Sequence, residues 1–197
     1  MRFVSRLTEN RIDSTELFRG EFLHAFRDTV ELPDGELANR EYVVHPGAVM
    51  IVPIFQLVNG HCDVVLERQF RYPLNRVMVE FPAGKIDPGE TSLHCAKREL
   101  REETGYSATS WALAGTLHPV ISYSTEFIDI WFAKGLSLGV RSLDKGEFLD
   151  VFTSHSTQLL TWCRDGTVTD AKTLVAALWL QNTLSDAWSL NWSETGR

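Results

Sequence analysis

The sequence lacks any apolar run that approaches the roughly 20 residues of a membrane-spanning helix. Its opening residues, MRFVSRLTENRIDS, also lack the apolar core of a signal peptide. Neither an internal repeat nor a low-complexity tract is present. These absences argue against a membrane protein, a secreted precursor and a repeat array, so we expect a globular protein of the cytoplasm.

Cysteine is scarce, with three residues at Cys62, Cys95 and Cys163. The odd number and wide spacing argue against a disulfide framework. The sequence has no cluster of Cys and His with the spacing of a zinc site. We therefore predict reduced, mostly buried thiols, and we interpret Cys95 as a helix residue rather than a nucleophile or a ligand.

Positive charge is also in short supply, because 19 Lys and Arg face 26 Asp and Glu, for a net charge of −7. Such a balance argues against binding of nucleic acid, and it does not favour an anionic substrate either. An acidic protein that handles phosphates has to neutralise them locally, through a metal and a few arginines. A chain of 197 residues with 44% hydrophobic residues predicts one domain, or one domain with a small extension.

The most informative stretch is Gly84–Tyr106, GKIDPGETSLHCAKRELREETGY. Its second half, Thr91–Thr104, has apolar residues at helical spacing and predicts one helix. Glu99 and Glu103 are four residues apart and share a face of that helix, with Glu102 beside them. These like charges repel each other, and a hard cation such as Mg²⁺ would relieve the repulsion because it binds carboxylate oxygens. The alternative is a solvated acidic helix with salt bridges along its own surface.

The spacing of this stretch favours the cation site over the solvated acidic helix. It fits Gly-x5-Glu-x7-Arg-Glu-Leu-x-Glu-Glu-x-Gly-Tyr without a gap, a match expected by chance on the order of once in 10⁸ starts. The pattern resembles the Nudix box, the signature of the Nudix hydrolase family. All seven fixed residues are present: Gly84, Glu90, Arg98, Glu99, Glu102, Glu103 and Gly105.

Two parts of the chain differ in pattern, and we predict a boundary between residues 45 and 46. Residues 1–45 predict a small antiparallel β-sheet with a turn at 33–35, which needs a partner surface from its own domain or from a second subunit. Residues 46–197 predict strands on either side of the central helix and helices at 156–164 and 171–185. The order of elements favours an α/β fold with a mixed sheet. The resemblance implies the α/β/α sandwich of the Nudix family, which agrees.

Three local predictions can be compared directly with a structure. Ala48–Leu57 and Cys62–Phe70 predict a hairpin around an Asn59-Gly60 turn. The last helix is expected to turn Leu174, Leu178 and Trp179 inward. The polar tail, 188–197, is expected to fray.

Further segments resemble one branch of the family, the ADP-ribose pyrophosphatases. They are ERQFRYP at 67–73, EFPAG at 80–84, Pro119, and TDAKT at 169–173. The branch implies Mg²⁺-dependent hydrolysis of the pyrophosphate bond of a nucleoside diphosphate sugar, with Mn²⁺ as a possible substitute. ADP-ribose would give AMP and ribose 5-phosphate. The branch also implies a homodimer, formed with the help of the N-terminal sheet.

The resemblance further implies roles for single residues. The metal ligands would be Glu99 and Glu103, then Glu102, with the carbonyl of Ala83. Arg98 would orient the glutamates, and Glu90 would be structural or an outer-shell residue.

Catalytic candidates are Glu147, Glu126 and Glu102. Glu147 matches a position that supplies a metal ligand or a base in the branch. The acid often found two places earlier is Lys145 here, a departure that leaves the general base open between Glu147 and Glu126. An ordinary surface acid is the alternative for each of these two.

Substrate-binding candidates are four charged residues. Arg71 is expected to meet a phosphate, with help from Arg40 or Arg68, because the planar guanidinium donates paired hydrogen bonds to phosphate. Glu80 is expected to bind a ribose hydroxyl or the arginines. The alternative for the arginines is an ordinary surface salt bridge.

Two other functions remain open at this point. The first is hydrolysis of GDP-mannose or another nucleotide sugar by the same chemistry. The second is a nucleotide-sensing regulator without catalysis, but the intact box and the absence of a basic helix-turn-helix segment argue against it.

Overall fold

The computed structural model describes residues 6–55 and 61–194, and the predicted turn at Asn59-Gly60 lies outside them. The chain forms two compact units. The first comprises residues 1–47 and 120–127, and the second comprises residues 48–119 and 128–197. The loop 120–127 was not assigned to the first unit by the sequence pattern.

The N-terminal unit contains an antiparallel sheet of three strands, which confirms the predicted small sheet. The strands are β1 Asn10–Arg19, β2 His24–Glu31 and β3 Leu37–Val44, in the order β1-β2-β3. Strand β1 is exposed along its whole length and carries few apolar residues. The apolar pattern therefore did not reveal it, and its pairing with β2 defines it instead.

In its described residues, the second unit contains two sheets, three α-helices and a short 3-10 helix at Tyr72–Leu74. Its strands are β4 Ala48–Pro53, β5 Asp63–Arg71, β6 Arg76–Glu80, β7 Ala83–Lys85, β8 Tyr106–Leu117, β9 Ile128–Leu138, β10 Leu149–His155 and β11 Ser193–Glu194. One sheet has the order β11-β8-β9-β4-β7, with only β4 and β9 parallel, so the predicted mixed sheet is confirmed. The other has the antiparallel order β10-β5-β6.

The helices are α1 Ser92–Thr104, α2 Ser156–Asp165 and α3 Ala171–Leu184. Helix α1 begins after Thr91, a favourable capping residue. The hydroxyl of Thr91 accepts a hydrogen bond from the backbone N–H of His94 at 3.3 Å. The helix ends at Gly105, whose φ is +78°. Glycine adopts this left-handed conformation readily. Asp170 caps α3.

Helices cover both faces of the mixed sheet. As a result, every side chain of β4 is buried. Val49 and Ile51 pack in one apolar cluster with Leu100 of α1. Met50 and Val52 point to the opposite face and pack in a cluster with residues of α2 and α3. The result is the helix–sheet–helix arrangement expected from the sequence.

Two local predictions were only partly correct. Among the described residues, the predicted hairpin of β4 and β5 is limited to an antiparallel bridge between Ile54 and Val64 and a hydrogen bond from the N–H of Phe55 to the carbonyl of Asp63, and the two strands otherwise pair within different sheets. Helix α3 packs Trp179 against the core as predicted, but it leaves Leu174 36% and Leu178 50% exposed. The residues that it buries are Thr173, Ala176, Ala177 and Leu180. The helix is apolar on most sides, so its periodicity does not define the inward face.

The tail also differs from expectation. Ser193 and Glu194 pair with β8, so this part of the tail docks on the sheet. Helix α2 is capped by the ring of His155, while the hydroxyl of Ser156 accepts from the N–H of Cys62 at 3.3 Å. The longest helix has 14 residues, and no helix in the described ranges meets the length and apolarity needed to cross a bilayer.

Replacing Leu100 by Ala should lower the free energy of unfolding by about 2–5 kcal/mol, as is usual for a fully buried leucine. Leu100 is fully buried between α1 and the sheet. Leu138→Ala is the matched control, since Leu138 is 71% exposed at the end of β9. The control should change stability by about 0.5 kcal/mol or less. Urea unfolding followed by tryptophan fluorescence measures both, and equal effects of the two substitutions would contradict the assigned core.

Candidate active site

The short strand β7 and helix α1 bring the box residues together. Glu103 is buried, and its carboxylate accepts a hydrogen bond from the backbone N–H of Ala83 at 3.0 Å. The carboxylate of Glu99 lies against Gly84, where an added Cβ would come within 2.0 Å of it. A side chain in place of Gly84 would therefore displace the carboxylate of Glu99, and the two acids face β7 from the same side of α1.

Arg98 connects the acids of the box. Its guanidinium donates to both oxygens of Glu90 at 3.0 and 2.8 Å and to Glu99 at 2.7 Å. It also donates to Glu102 at 3.2 Å and to the carbonyl of Lys85 at 3.1 Å. These hydrogen bonds hold the pKa of Glu90 at about 2. The arrangement matches the predicted orienting role of Arg98, which stays a prediction.

The deeper acids have too few positive partners. Burial raises the pKa of Glu99 to about 7, although Arg98 lowers it. Burial also raises the pKa of Glu103, and the negative charges of Glu67, Glu99 and Glu147 add to this effect. The site therefore concentrates acidic groups in a poorly solvated place, where a bound cation would favour their ionised forms.

A second group of charges lies on β5, β6 and the start of α3. Arg71 forms two parallel hydrogen bonds with the carboxylate of Glu80, both at 2.7 Å. Lys172 contacts the same carboxylate and also Asp170, the latter at 3.0 Å. Burial raises the pKa of Glu80, but its hydrogen bonds to Arg71 and the charge of Lys172 lower it below the ordinary value overall.

Sequence reasoning missed two members of this site. Glu67, opposite Glu80 on the neighbouring strand, is fully buried, and Lys172 approaches Glu80 from 92 residues away in sequence. The signal for Glu67 was a charged residue that directly continues the apolar run Val64–Leu66 of a strand. Lys172 lies within the TDAKT segment, but nothing in that segment indicates its partner.

The remaining candidates are spread over both units. In the second unit, Glu147 is half-buried just before β10, and the guanidinium of Arg68 lies 3.9 Å from the centre of the Phe152 ring. In the N-terminal unit, Arg40 is paired with Glu9. Also in that unit, Glu126 lies 3.8 Å from the ring nitrogen Nε2 of His45.

The donor set fits a hard divalent cation, because it consists of carboxylate oxygens and one backbone carbonyl. Glu67 supports this fit, since both of its buried oxygens lack a hydrogen-bond partner among the described residues. As the side chains stand, no three acidic, His or Cys residues in the described ranges converge closely enough to hold an ion. Glu99 is turned towards Arg98, so binding an ion would require a small rotation of that side chain.

Comparison with known proteins identifies the class. Residues 44–178 match the family model of the NUDIX domain, so the chain belongs to the Nudix hydrolase family. Residues 9–43 match the model of the nucleoside diphosphate sugar hydrolase N-terminal domain. The two models match adjacent stretches of the chain.

Individual relatives are similar over nearly the whole chain. An ADP-ribose pyrophosphatase of Bacillus subtilis is 35% identical over 180 residues, which cover 90% of this chain and 95% of the relative. A methanol dehydrogenase activator of Bacillus methanolicus is also 35% identical, over 88% of this chain and 92% of its own length. A crystal structure of an ADP compounds hydrolase superposes with a TM-score of 0.77 at 25% identity, covering 91% of this chain and 95% of that one.

Replacing Arg98 by Lys should lower the free energy of unfolding by about 1.5–3 kcal/mol, because one ammonium group cannot contact Glu90, Glu99 and Glu102 together. Arg101→Lys is the matched control, since Arg101 is largely exposed on the same helix and lies 3.8 Å from Glu102. Urea unfolding measures both variants. A loss in Arg98→Lys no larger than in Arg101→Lys would contradict the role of Arg98 as the connecting residue.

Proposed function

We propose that the protein hydrolyses the pyrophosphate bond of a nucleoside diphosphate sugar with Mg²⁺, and that ADP-ribose is the preferred substrate. The observation that carries this proposal is the carboxylate pair of buried Glu103 and partly buried Glu99, set beside Ala83 and Gly84 by an intact Nudix box. The names of the relatives support the substrate class, and the N-terminal match to a nucleoside diphosphate sugar hydrolase model agrees with it. Nudix hydrolases generally use a divalent metal.

Glu99, Glu103 and the carbonyl of Ala83 would hold the cation, with Glu102 as the next ligand. When bound, a divalent cation lowers the pKa of a bound water and offsets the charge of the phosphates. Arg98 keeps Glu99 and Glu102 in place through its hydrogen bonds.

The reaction adds one water to the pyrophosphate linkage. The water oxygen forms a bond to one phosphorus, and the bond from that phosphorus to the bridging oxygen breaks. The bridging oxygen leaves on the other phosphate, so ADP-ribose and water give AMP and ribose 5-phosphate. A carboxylate takes the proton of the water. Glu147 is our first candidate because its charge already acts on Glu99 and Glu103, and Glu126 is the second.

Arg71 and Glu80 are proposed to meet the substrate. The guanidinium of Arg71 is fixed by Glu80, yet 38% of the Arg71 side chain stays exposed. Arg71 therefore has donors left for a phosphate. Lys172 adds a second positive charge beside the same carboxylate. Arg68 and Arg40 are further candidates, although each already has a partner in Phe152 and Glu9.

Turnover of a substrate panel tests the function. ADP-ribose, GDP-mannose, UDP-glucose, NADH and a dinucleoside polyphosphate are incubated with and without Mg²⁺, and phosphate is measured after coupling to a phosphatase. We expect Mg²⁺-dependent turnover that is fastest for ADP-ribose. Faster turnover of GDP-mannose would keep the mechanism and change the substrate. No turnover at all would favour a nucleotide-binding regulator without catalysis.

Replacing Glu103 by Gln should lower kcat/KM for ADP-ribose by roughly 10²-fold or more, because the site would lose a charge that helps to stabilise the transition state. Glu194→Gln is the control, since Glu194 is an exposed acid of the same unit. The ratio of rates in saturating Mg²⁺ is the readout. Unchanged turnover in Glu103→Gln would contradict the ligand assignment.

We also propose that the protein is a homodimer of the cytoplasm. Strand β1 lies at the edge of its sheet and exposes Ile12, Leu17 and Phe18, which favours pairing with a second copy. Cys62, Cys95 and Cys163 are free thiols, as expected in a reducing compartment.

Sedimentation equilibrium of the full chain tests the assembly. We expect twice the 22.3 kDa chain mass for the wild type and a shift to the monomer for Phe18→Asp. Asp13→Asn, on the same exposed strand, should leave the mass unchanged. A monomeric wild type would exclude the dimer.

A further inference from the structure

Glu67 on β5 is a fully buried acid that no step proposed above uses. Its side chain is 0% exposed, and neither carboxylate oxygen has a hydrogen-bond partner among the described residues. An unpaired charge inside a protein is strongly destabilising, and an unsatisfied buried polar group requires an explanation. An apolar side chain of similar size would fill the same place on the strand without that penalty.

The charges around Glu67 do not satisfy it. Glu80 lies directly opposite on β6, and the two cations nearby, Arg71 and Lys172, are both bonded to Glu80. Glu80 lies three residues before Ala83, whose N–H donates to the carboxylate of Glu103, so strand pairing places Glu67 next to the segment 80–83 that also contacts Glu103. The negative charge of Glu67 also raises the pKa of Glu103.

Protonation is the alternative to a cation. A neutral Glu67 could donate its O–H to a neighbouring carboxylate, but its second oxygen would still need a donor. Neither oxygen accepts a hydrogen bond among the described residues. A positive ligand placed between Glu67 and Glu103 would satisfy both acids at once, and a divalent cation is such a ligand.

We propose that Glu67 is a further ligand of the divalent cation, binding it from β5 opposite Glu99 and Glu103, directly or through one bound water. This inference rests on the proposed function, since it concerns the same cation. It adds a ligand from a strand that lies outside the box. The cation would then be held between helix α1 and the three-stranded sheet that also carries Arg71 and Glu80.

Binding of Mn²⁺ to the full-length protein without substrate tests the inference. The wild type, Glu67→Gln and Glu67→Met are titrated with Mn²⁺, and free ion is measured by electron paramagnetic resonance. We expect the dissociation constant to rise roughly tenfold or more in both variants. Asp150→Asn is the matched control, because Asp150 is an exposed acid on β10 of the same sheet, and its affinity should equal that of the wild type.

The melting temperature without metal provides a second readout. Glu67→Met should melt at or above the wild-type temperature, because the substitution removes a buried unpaired acid. A lower melting temperature would mean that the carboxylate stabilises the fold itself, which contradicts the proposal. Glu67→Gln keeps the shape of the side chain, so it tests the affinity even if Glu67→Met does not fold.

The outcomes separate this inference from the function on which it rests. A wild type that binds Mn²⁺ and hydrolyses ADP-ribose, with unchanged affinity in the Glu67 variants, would overturn the inference alone. An equal rise of the Mn²⁺ dissociation constant in Asp150→Asn would also overturn the inference, because the loss of any negative charge would then have the same effect. A wild type that neither binds Mn²⁺ nor hydrolyses a nucleoside diphosphate sugar would contradict both the inference and the proposed function.

Discussion

The repulsion among buried carboxylates is the constraint on which the rest of this site depends. Glu67, Glu99 and Glu103 lie in a poorly solvated place, where burial raises their pKa values and neighbouring acids raise them further. Arg98 donates to Glu99 and offsets part of this effect. Neither oxygen of Glu67 has a hydrogen-bond partner among the described residues, so a bound cation would stabilise the ionised form of these acids.

The fold keeps these acids in place by surrounding them with a rigid core. Helix α1 packs through Leu100 against β4, and β7 fixes the loop before it by pairing with the same strand. Gly84 lets the backbone approach the carboxylate of Glu99, which a side chain at this position would displace. The acids are therefore presented together beside β7, which suits a preorganised site for charge.

Much of this arrangement could be predicted from the sequence, because the box is local. Its residues lie within one loop and one helix, so their spacing alone fixes which of them share a face. The mixed sheet followed from strands on either side of α1. By contrast, Lys172 meets Glu80 across 92 positions, and Glu67 faces Glu80 through strand pairing, so no spacing rule connects them.

The prediction of the inward face of α3 was wrong at Leu174 and Leu178 for a different reason. The helix is apolar nearly all round, and packing against the sheet selected small residues such as Ala176 and Ala177 over Leu174 and Leu178. The apolar pattern did not predict strand β1, because its residues are mostly polar. The strand forms through its hydrogen-bonded pairing with β2. In both cases tertiary contacts decide the outcome, and the local sequence contains little information about them.

The most direct test of the central claim is an anomalous difference map from crystals of the protein grown with Mn²⁺. The account predicts a peak between the carbonyl of Ala83 and the carboxylates of Glu99 and Glu103, with Glu99 turned from Arg98 towards the ion. A map without a peak at this place, and with Glu99 still bonded to Arg98, would contradict the claim that these acids form a cation site.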